Sequence, residues 1–470
     1  MIDMYGSQGG FYMAKLEKNL TTGSVWKQLI LFAIPLFFSN LIQSIYSVAD
    51  MMIVSHFSGT AAVSGVNISS NIMVIVINLA SGISTGGMVT VGRFLGAGQR
   101  DNIKKAIGTL FVTLLSLATV VTLGLLIFAK PILHALNTPQ EAYTEAYHYL
   151  VICAAGTVFV FAYNALSAVM RGVGDGKTPL KFVLVSSIVN IVLDLLFIRG
   201  FHWGAEGAAF ATVIAQAVSV ILCVWYLKKH AFVFDFRLSS FCFYKDMFKM
   251  VMKVGLPNGV QLMITNFSFL ILSAMVNEMG GVAASAAVGI VGKFNGFAIL
   301  PEVAISNAVS TMISQNVGAD NLKRSKQAVR YGFGLCVAIS VVIFLVATCC
   351  TKQIFWLFGA ETAVVEQGCI YMKAFAFEYV FIPFIIACNA AFLGTGNGWI
   401  TLIIDVFPAF LVRLPLAVYL GVILNQGLFG IACAVPSATF VGAVIAVSFY
   451  FGGYWKKAFR TKDIENHNNI

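Results

Sequence analysis

Five of the twenty acidic residues, Asp50, Asp194, Glu302, Glu378 and Asp405, fall inside long apolar runs. An ionised side chain at the middle of a bilayer costs about 2.5 to 3.5 kcal/mol even on a lenient insertion scale, so each begins as a functional candidate. Asp50 closes the segment IPLFFSNLIQSIYSVAD, and Tyr46, four residues earlier, shares its helical face. Asn190 and Asp194 in SSIVNIVLDLLFI have the same spacing, and Thr212 in GAAFATVIAQ adds a hydroxyl. Carboxylate, amide and hydroxyl oxygens are hard donors, suited to Na⁺ or to holding a proton. The plainer alternative puts Asp50 and Asp194 near helix ends, in contact with headgroups or water. Later in the chain, Glu302, Glu378 and Asp405 are matched by Lys293, Lys373 and Arg413, the composition of an internal ion-pair set. Glu378 in FAFEYVFIPF sits among aromatic residues that could line a substrate cavity for a flat cation.

What positions these residues follows from composition. The 470 residues are 59% hydrophobic and 11% charged, with mean hydropathy +0.86. A soluble domain carries roughly 25% charged residues, so the chain belongs in a bilayer. Polar punctuation cuts it into twelve apolar segments, near 28–54, 61–87, 104–129, 145–170, 180–199, 205–227, 250–276, 283–307, 328–350, 368–393, 400–424 and 428–453. Each is long enough to cross as a helix, and their continuous apolarity excludes the short alternating segments of a barrel.

The sequence repeats at a spacing of 222 residues. Pro35 matches Pro257, Gly96-Ala97 matches Gly318-Ala319, Tyr149 matches Tyr371, and Gly172, Gly174 and Gly176 match Gly394, Gly396 and Gly398. Six spans per copy, an even number, give both copies one orientation. The expectation is an all-α integral membrane protein: two six-helix bundles related by a pseudo-two-fold axis along the membrane normal. The bundles are assigned to residues 1–227 and 251–470, the latter with a cytoplasmic tail, joined by a basic cytoplasmic linker at 228–250. All five intramembrane acids break the repeat. Asp50 faces Leu272, Asp194 faces Leu416, and Glu378 corresponds to Gly156.

Of the 30 Lys and Arg residues, 24 fall on the side holding the N-terminus and every second loop, which makes both termini cytoplasmic. The net charge of +10 then reflects topology and contact with anionic lipids, and nucleic acid is not an expected partner. Pro35 lacks an N–H and should kink or loosen the first span. GVGDGKT at 172–178 ends like a phosphate loop, but Arg171 stands where its first glycine should be, so it reads as a tight turn. Catalytic and metal-cluster motifs are missing, as is an apparent signal peptide. The nine cysteines are odd in number and suggest no disulfide framework. Neither an enzyme nor a cofactor is expected.

The Pro35–Asp50 segment, the turns GRFLGAGQ and MRGVGDGKTP, and NIVLDLLFI followed by GAEGAA resemble multidrug and toxic compound extrusion transporters, over roughly residues 26 to 455. The acid pattern is similar to the branch with two acidic residues in the N-terminal lobe. The resemblance implies an H⁺- or Na⁺-coupled antiporter in the bacterial cytoplasmic (inner) membrane, a monomer that exports amphipathic, often cationic organic compounds by alternating access. It places Asp50, Asn190, Asp194 and Thr212 at the cation or proton site. Tyr46, Tyr149 and Asn164 are the implied polar companions, and Pro35 the proline at which the first helix bends. His202 and Trp203 depart from the usual small residues. A flippase for lipid-linked precursors is the main alternative; it would call for a more basic cavity, whereas the candidates in the N-terminal half are acidic. A passive channel would place its acids in a ring.

Overall fold

The structure is a computed structural model and describes residues 17–230 and 232–459. Of the basic residues counted for orientation, Lys15, Arg460 and Lys462 lie outside this range. Every regular element in it is helical, as apolar segments without water to satisfy their backbones require. Ten single helices and two bent pairs are apolar and long enough to cross a membrane. In the first half these are α1 (Val25–Phe57), α2 (Gly59–Gly96), α3 (Arg100–Ala135), α4 (Gln140–Ala155 and Thr157–Gly172, bent by 49°), α5 (Lys177–Gly200) and α6 (Gly204–Lys229). The second half holds α7 (Lys245–Met279), α8 (Gly281–Gly318), α9 (Leu322–Cys349), α10 (Thr362–Phe375 and Glu378–Gly394, bent by 49°), α11 (Gly398–Ile423) and α12 (Gly427–Phe451).

The internal repeat survives in the backbone. Gly59 and Gly281, which open α2 and α8, stand 222 residues apart, as do the starts of α3 and α9 and of α4 and α10. Left-handed residues recur at the same spacing: Gly98 with Asp320, Asn137 with Gly359, and Gly174 with Gly396. Each ends a helix or forms a turn where the chain must reverse, so the repeat is written in the turn chemistry as well as in the spans. Both bent spans break at equivalent places. Even the wide π-type turns at Leu195–Gly200, just after Asp194, have a counterpart at Val418–Ile423. They are therefore part of the shared architecture, and Asp194 did not bring them about.

The close approaches between the halves concentrate at one end, the face carrying Arg93, Arg100, Lys177 and Arg324. There α2 packs on α7 and α8 through glycines: a Cβ on Gly82 would collide with the backbone of Gly259, and one on Gly96 with the carbonyl oxygen of Gln315. A strap formed by residues 17–24 runs across this basic face. The Lys18 amide donates to Val173 O in the first half (2.9 Å), and Glu17 pairs with Arg100 (2.9 Å). On the other side the Leu20 amide donates to Gln315 Oε1 (3.0 Å), while Arg324 donates to the carbonyls of Leu20, Thr22 and Gly23 and to Gln28 Oε1.

Helix α1 is shared between the halves. Its early residues Val25, Leu29, Phe32, Ala33 and Leu36 belong to a core with Ala304, Ile305, Ala308 and Phe392 of the second half. Its later residue Val54 belongs to the first-half core, with Ile42, Met51 and Ile53 packed against it. Pro35 lies at the crossover, inside an unbroken helix, and Ser39 Oγ donates to its carbonyl (2.9 Å). All nine cysteines are free thiols.

Candidate functional site

Polar residues recur on α1 at helical spacing, Ser39, Asn40, Gln43, Tyr46, Ser47 and Asp50, and this face lines a chamber of about 400 Å³. Helix α4 contributes Tyr149 and Cys153 from its first arm and Val160, Tyr163, Asn164, Ser167 and Arg171 from its second. Thr212 and Gln216 come from α6, Ser70, Asn78 and Ser81 from α2. Only Val303 and Asn307 belong to the second half, so the chamber is built almost wholly by the first.

Asp50 lines this chamber and interacts directly with Asp194 behind it, and Tyr46 lies within electrostatic reach of both. Asp194 is fully buried and Asn190 nearly so, with Asn190 Nδ2 donating to Thr212 Oγ1 at 3.4 Å. Both carboxylate oxygens of Asp194, Oδ1 of Asp50 and Oδ1 of Asn190 are buried without a protein donor. Buried oxygens are normally satisfied, because leaving one without a donor costs about 1 to 3 kcal/mol. Four such oxygens converging from α1 and α5 are a donor set for a small cation, or for a proton shared between the carboxyls. Oxygen-only ligation suits a hard ion such as Na⁺. Around them, Ser70 Oγ donates to Tyr149 Oη (3.4 Å), and Asn164 Nδ2 is turned onto the Val160 carbonyl (2.9 Å).

The structure thus brings together Asp50, Asn190, Asp194 and Thr212, with Tyr46, Tyr149 and Asn164 on the adjoining wall. Glu378 is placed differently from the sequence expectation. It does not line the chamber; it is buried at the start of the second arm of α10, within electrostatic reach of Arg413, because the bend after Phe375 turns this position into the second-half bundle. The balanced set of three acids and three bases is also corrected. Lys293 and Lys373 are exposed, leaving Arg413 as the buried base. Arg413 lies 4.4 Å from the centre of the Phe269 ring and donates to Ser268 Oγ (3.4 Å). Among the described residues no ion pair within 4 Å joins the second-half charges. Asp405 accepts instead from Asn389 Nδ2 (2.8 Å) and Gln261 Nε2, and Glu302 accepts from Ser340 Oγ.

Sequence reasoning missed most of the chamber wall. The α1 stripe was readable from its three- and four-residue spacing. Arg171, Gln216 and Asn307 carry no such signal until α4, α6 and α8 are set against α1.

The MatE family model matches residues 35–196 and 257–419. The probable multidrug resistance protein YoeA of Bacillus subtilis (strain 168) is 27% identical over 449 residues, 94% of this chain and 96% of that protein. The probable multidrug resistance protein YpnP of the same organism is 27% identical over 438 residues, 93% of this chain and 97% of that one. A solved structure described as the outward-facing conformation of a multidrug resistance MATE family transporter superposes with a TM-score of 0.87 at 22% identity, covering 94% of this chain and 98% of that chain.

Proposed function

This chain belongs to the MatE family, whose members are membrane transporters and not enzymes, and on that footing we propose that it is a cation-coupled antiporter that expels organic compounds from the bacterial cytoplasm across the inner membrane. The observation that carries the reading is the set of four donorless oxygens of Asp50, Asn190 and Asp194, buried behind the chamber wall that Asp50 lines. The flippase alternative is not favoured, since the matched relatives named above are multidrug resistance proteins.

In this reading the basic face is cytoplasmic, which the excess of Lys and Arg there supports, and the glycine-packed seam holds that side closed. The chamber beyond it is reached from outside. Two neighbouring carboxylates held away from water repel each other and favour a proton or a cation. Entry of that ion draws Asp50 on α1 and Asp194 on α5 together and alters the wall on which an organic cargo rests. Cargo and ion therefore oppose each other's binding, and the opposition is reciprocal. Either H⁺ or Na⁺ can serve this donor set, and no cofactor enters the cycle.

The test is dye efflux from proteoliposomes of the purified protein under a pH gradient or a Na⁺ gradient, each imposed alone. Uphill export under one of the two, abolished in Asp50→Asn, is the expected result. Export that ignores both gradients, or full export by Asp50→Asn, overturns the proposal.

A further inference from the structure

Arg171 lies in the chamber wall, at the end nearest the basic face, and the antiport cycle leaves it unused. Its neighbour Gly172 accepts from Gln315 Nε2 (3.0 Å), so Arg171 stands at the floor of the chamber, directly above the seam between the halves. Its Nε is buried without an acceptor, and among the described residues no carboxylate lies within 4 Å of the guanidinium. Asp175, four residues on, is engaged elsewhere, its Oδ1 accepting from the amides of Lys177 (2.9 Å) and Thr178 (3.1 Å). No ion pair within 4 Å joins the guanidinium to Asp50 or Asp194. Val160 and Arg171 line the same chamber along one helix arm, eleven positions apart, or about 16 Å at 1.5 Å per residue. Asp50 acts on Tyr149 and Cys153, on the other arm of α4, whereas Arg171 acts on Tyr163.

A guanidinium partly withdrawn from water, facing a cavity and lacking a counter-charge, is a ready partner for carboxylate or phosphate oxygens, which its planar fork matches with two parallel hydrogen bonds. The rest of the wall is consistent with such a cargo. It mixes amide and hydroxyl groups with aliphatic side chains, its aromatic residues are tyrosines, and it has no phenylalanine or tryptophan, which a pocket for a purely apolar cation would use.

We propose that Arg171 is an anion-binding subsite of the cargo chamber, so that this protein takes organic compounds carrying a carboxylate or phosphate group. The anion sits on Arg171 and the body extends past Tyr163 and Asn164 toward Asp50, where a cationic group on the same molecule competes with the coupling ion. The inference rests on the chamber being the cargo site of the antiporter.

The test is equilibrium binding to the purified full-length protein by fluorescence anisotropy, with two matched pairs of probes. One is a xanthene dye with a free benzoate against its methyl ester; the other is riboflavin 5′-phosphate against riboflavin. The anionic member of at least one pair is expected to bind about tenfold more tightly than its uncharged partner, as a charge-assisted hydrogen bond allows, and Arg171→Gln should erase the preference while still binding the partner. Which pair responds tells carboxylate from phosphate. Equal binding within both pairs, no binding of either anion, or a preference that survives Arg171→Gln overturns the inference. Should that variant bind none of the probes, the native preference must shrink as salt is raised; a salt-independent preference overturns it. Gradient-driven export of both members of both pairs without acid preference sinks this inference and leaves antiport standing, whereas acid preference in binding without gradient-driven export does the reverse.

Discussion

In the first half, Asp50 and Asp194 face each other with no lysine or arginine among the described residues acting on either, and their spare oxygens lack donors. In the second half, Asp405 is held by Asn389 and Gln261 and Glu302 by Ser340, and Glu378 lies near the buried base Arg413, although one oxygen each of Glu302 and Glu378 also lacks a donor. The two bundles share helix starts, bends and left-handed turns, so the backbone does not account for the contrast. Side-chain furnishing does. A buried carboxylate given neutral donors or a fixed base is tied to its own bundle, whereas one paired only with another carboxylate must take its counter-charge from solution. On this view the first half exchanges ions and the second holds its acids as structure.

The sharpest way to break the comparison is to neutralise acids one half at a time. Asp50→Asn or Asp194→Asn should reduce gradient-driven dye export in proteoliposomes to the level of empty vesicles, at unchanged membrane expression, whereas Glu378→Gln should retain coupled export. Loss of coupling in the Glu378 variant would make the second half an ion site as well. Next in size, Arg413→Gln should destabilise the protein by about 1 to 3 kcal/mol, since it leaves the buried Glu378 carboxylate without its nearest counter-charge. Thermal unfolding of the detergent-solubilised protein checks this, and Glu378→Gln in the same background should restore part of the loss. The seam offers a third, smaller effect. Gly96→Ala forces a methyl onto the Gln315 carbonyl, and overpacking of about 1 to 3 kcal/mol should shift the population away from the basic-face-closed state, read as a longer distance between spin labels at positions 104 and 326. Smallest, Thr212→Ala removes one neutral hydrogen-bonding group from the ion site, worth about 0.5 to 1.5 kcal/mol. It should weaken half-saturation by the coupling ion by roughly three- to tenfold, and Thr212→Ser should recover it.

The twelve spans and their two-fold repeat were legible because both are local properties: an apolar run long enough to cross, and a glycine or asparagine where the chain turns left-handed. The first-half acids were legible as departures from that repeat. Glu378 was misplaced because its aromatic neighbours suggested a cavity, and only the bend in α10 reveals that Phe375 and Tyr379 are packed into the bundle while Phe377 faces outward. Lys293 and Lys373 were read as interior bases because hydropathy gives depth in the membrane but does not say which side of a helix faces inward. Arg171 stood out in the sequence only as the residue that spoils a phosphate-loop pattern. Its importance depends on which groups fail to reach it, a property of the assembled bundle that no spacing encodes. The glycine seam is hidden for the same reason, since the partners of Gly82 and Gly96 lie more than 170 residues away.

Helix α1 leaves one piece of mechanics implicit. Its opening turns are riveted to the second half through Leu29, Phe32 and the Arg324 strap, while its far end carries Asp50 into the first. If the bundles rock against each other, this rod is gripped at both ends and must yield between them, and Pro35, which lacks one rung of the backbone ladder, is the weak joint. Ion capture at one end of the rod would then be felt as torque at the clasp on the basic face, roughly 35 to 40 Å away.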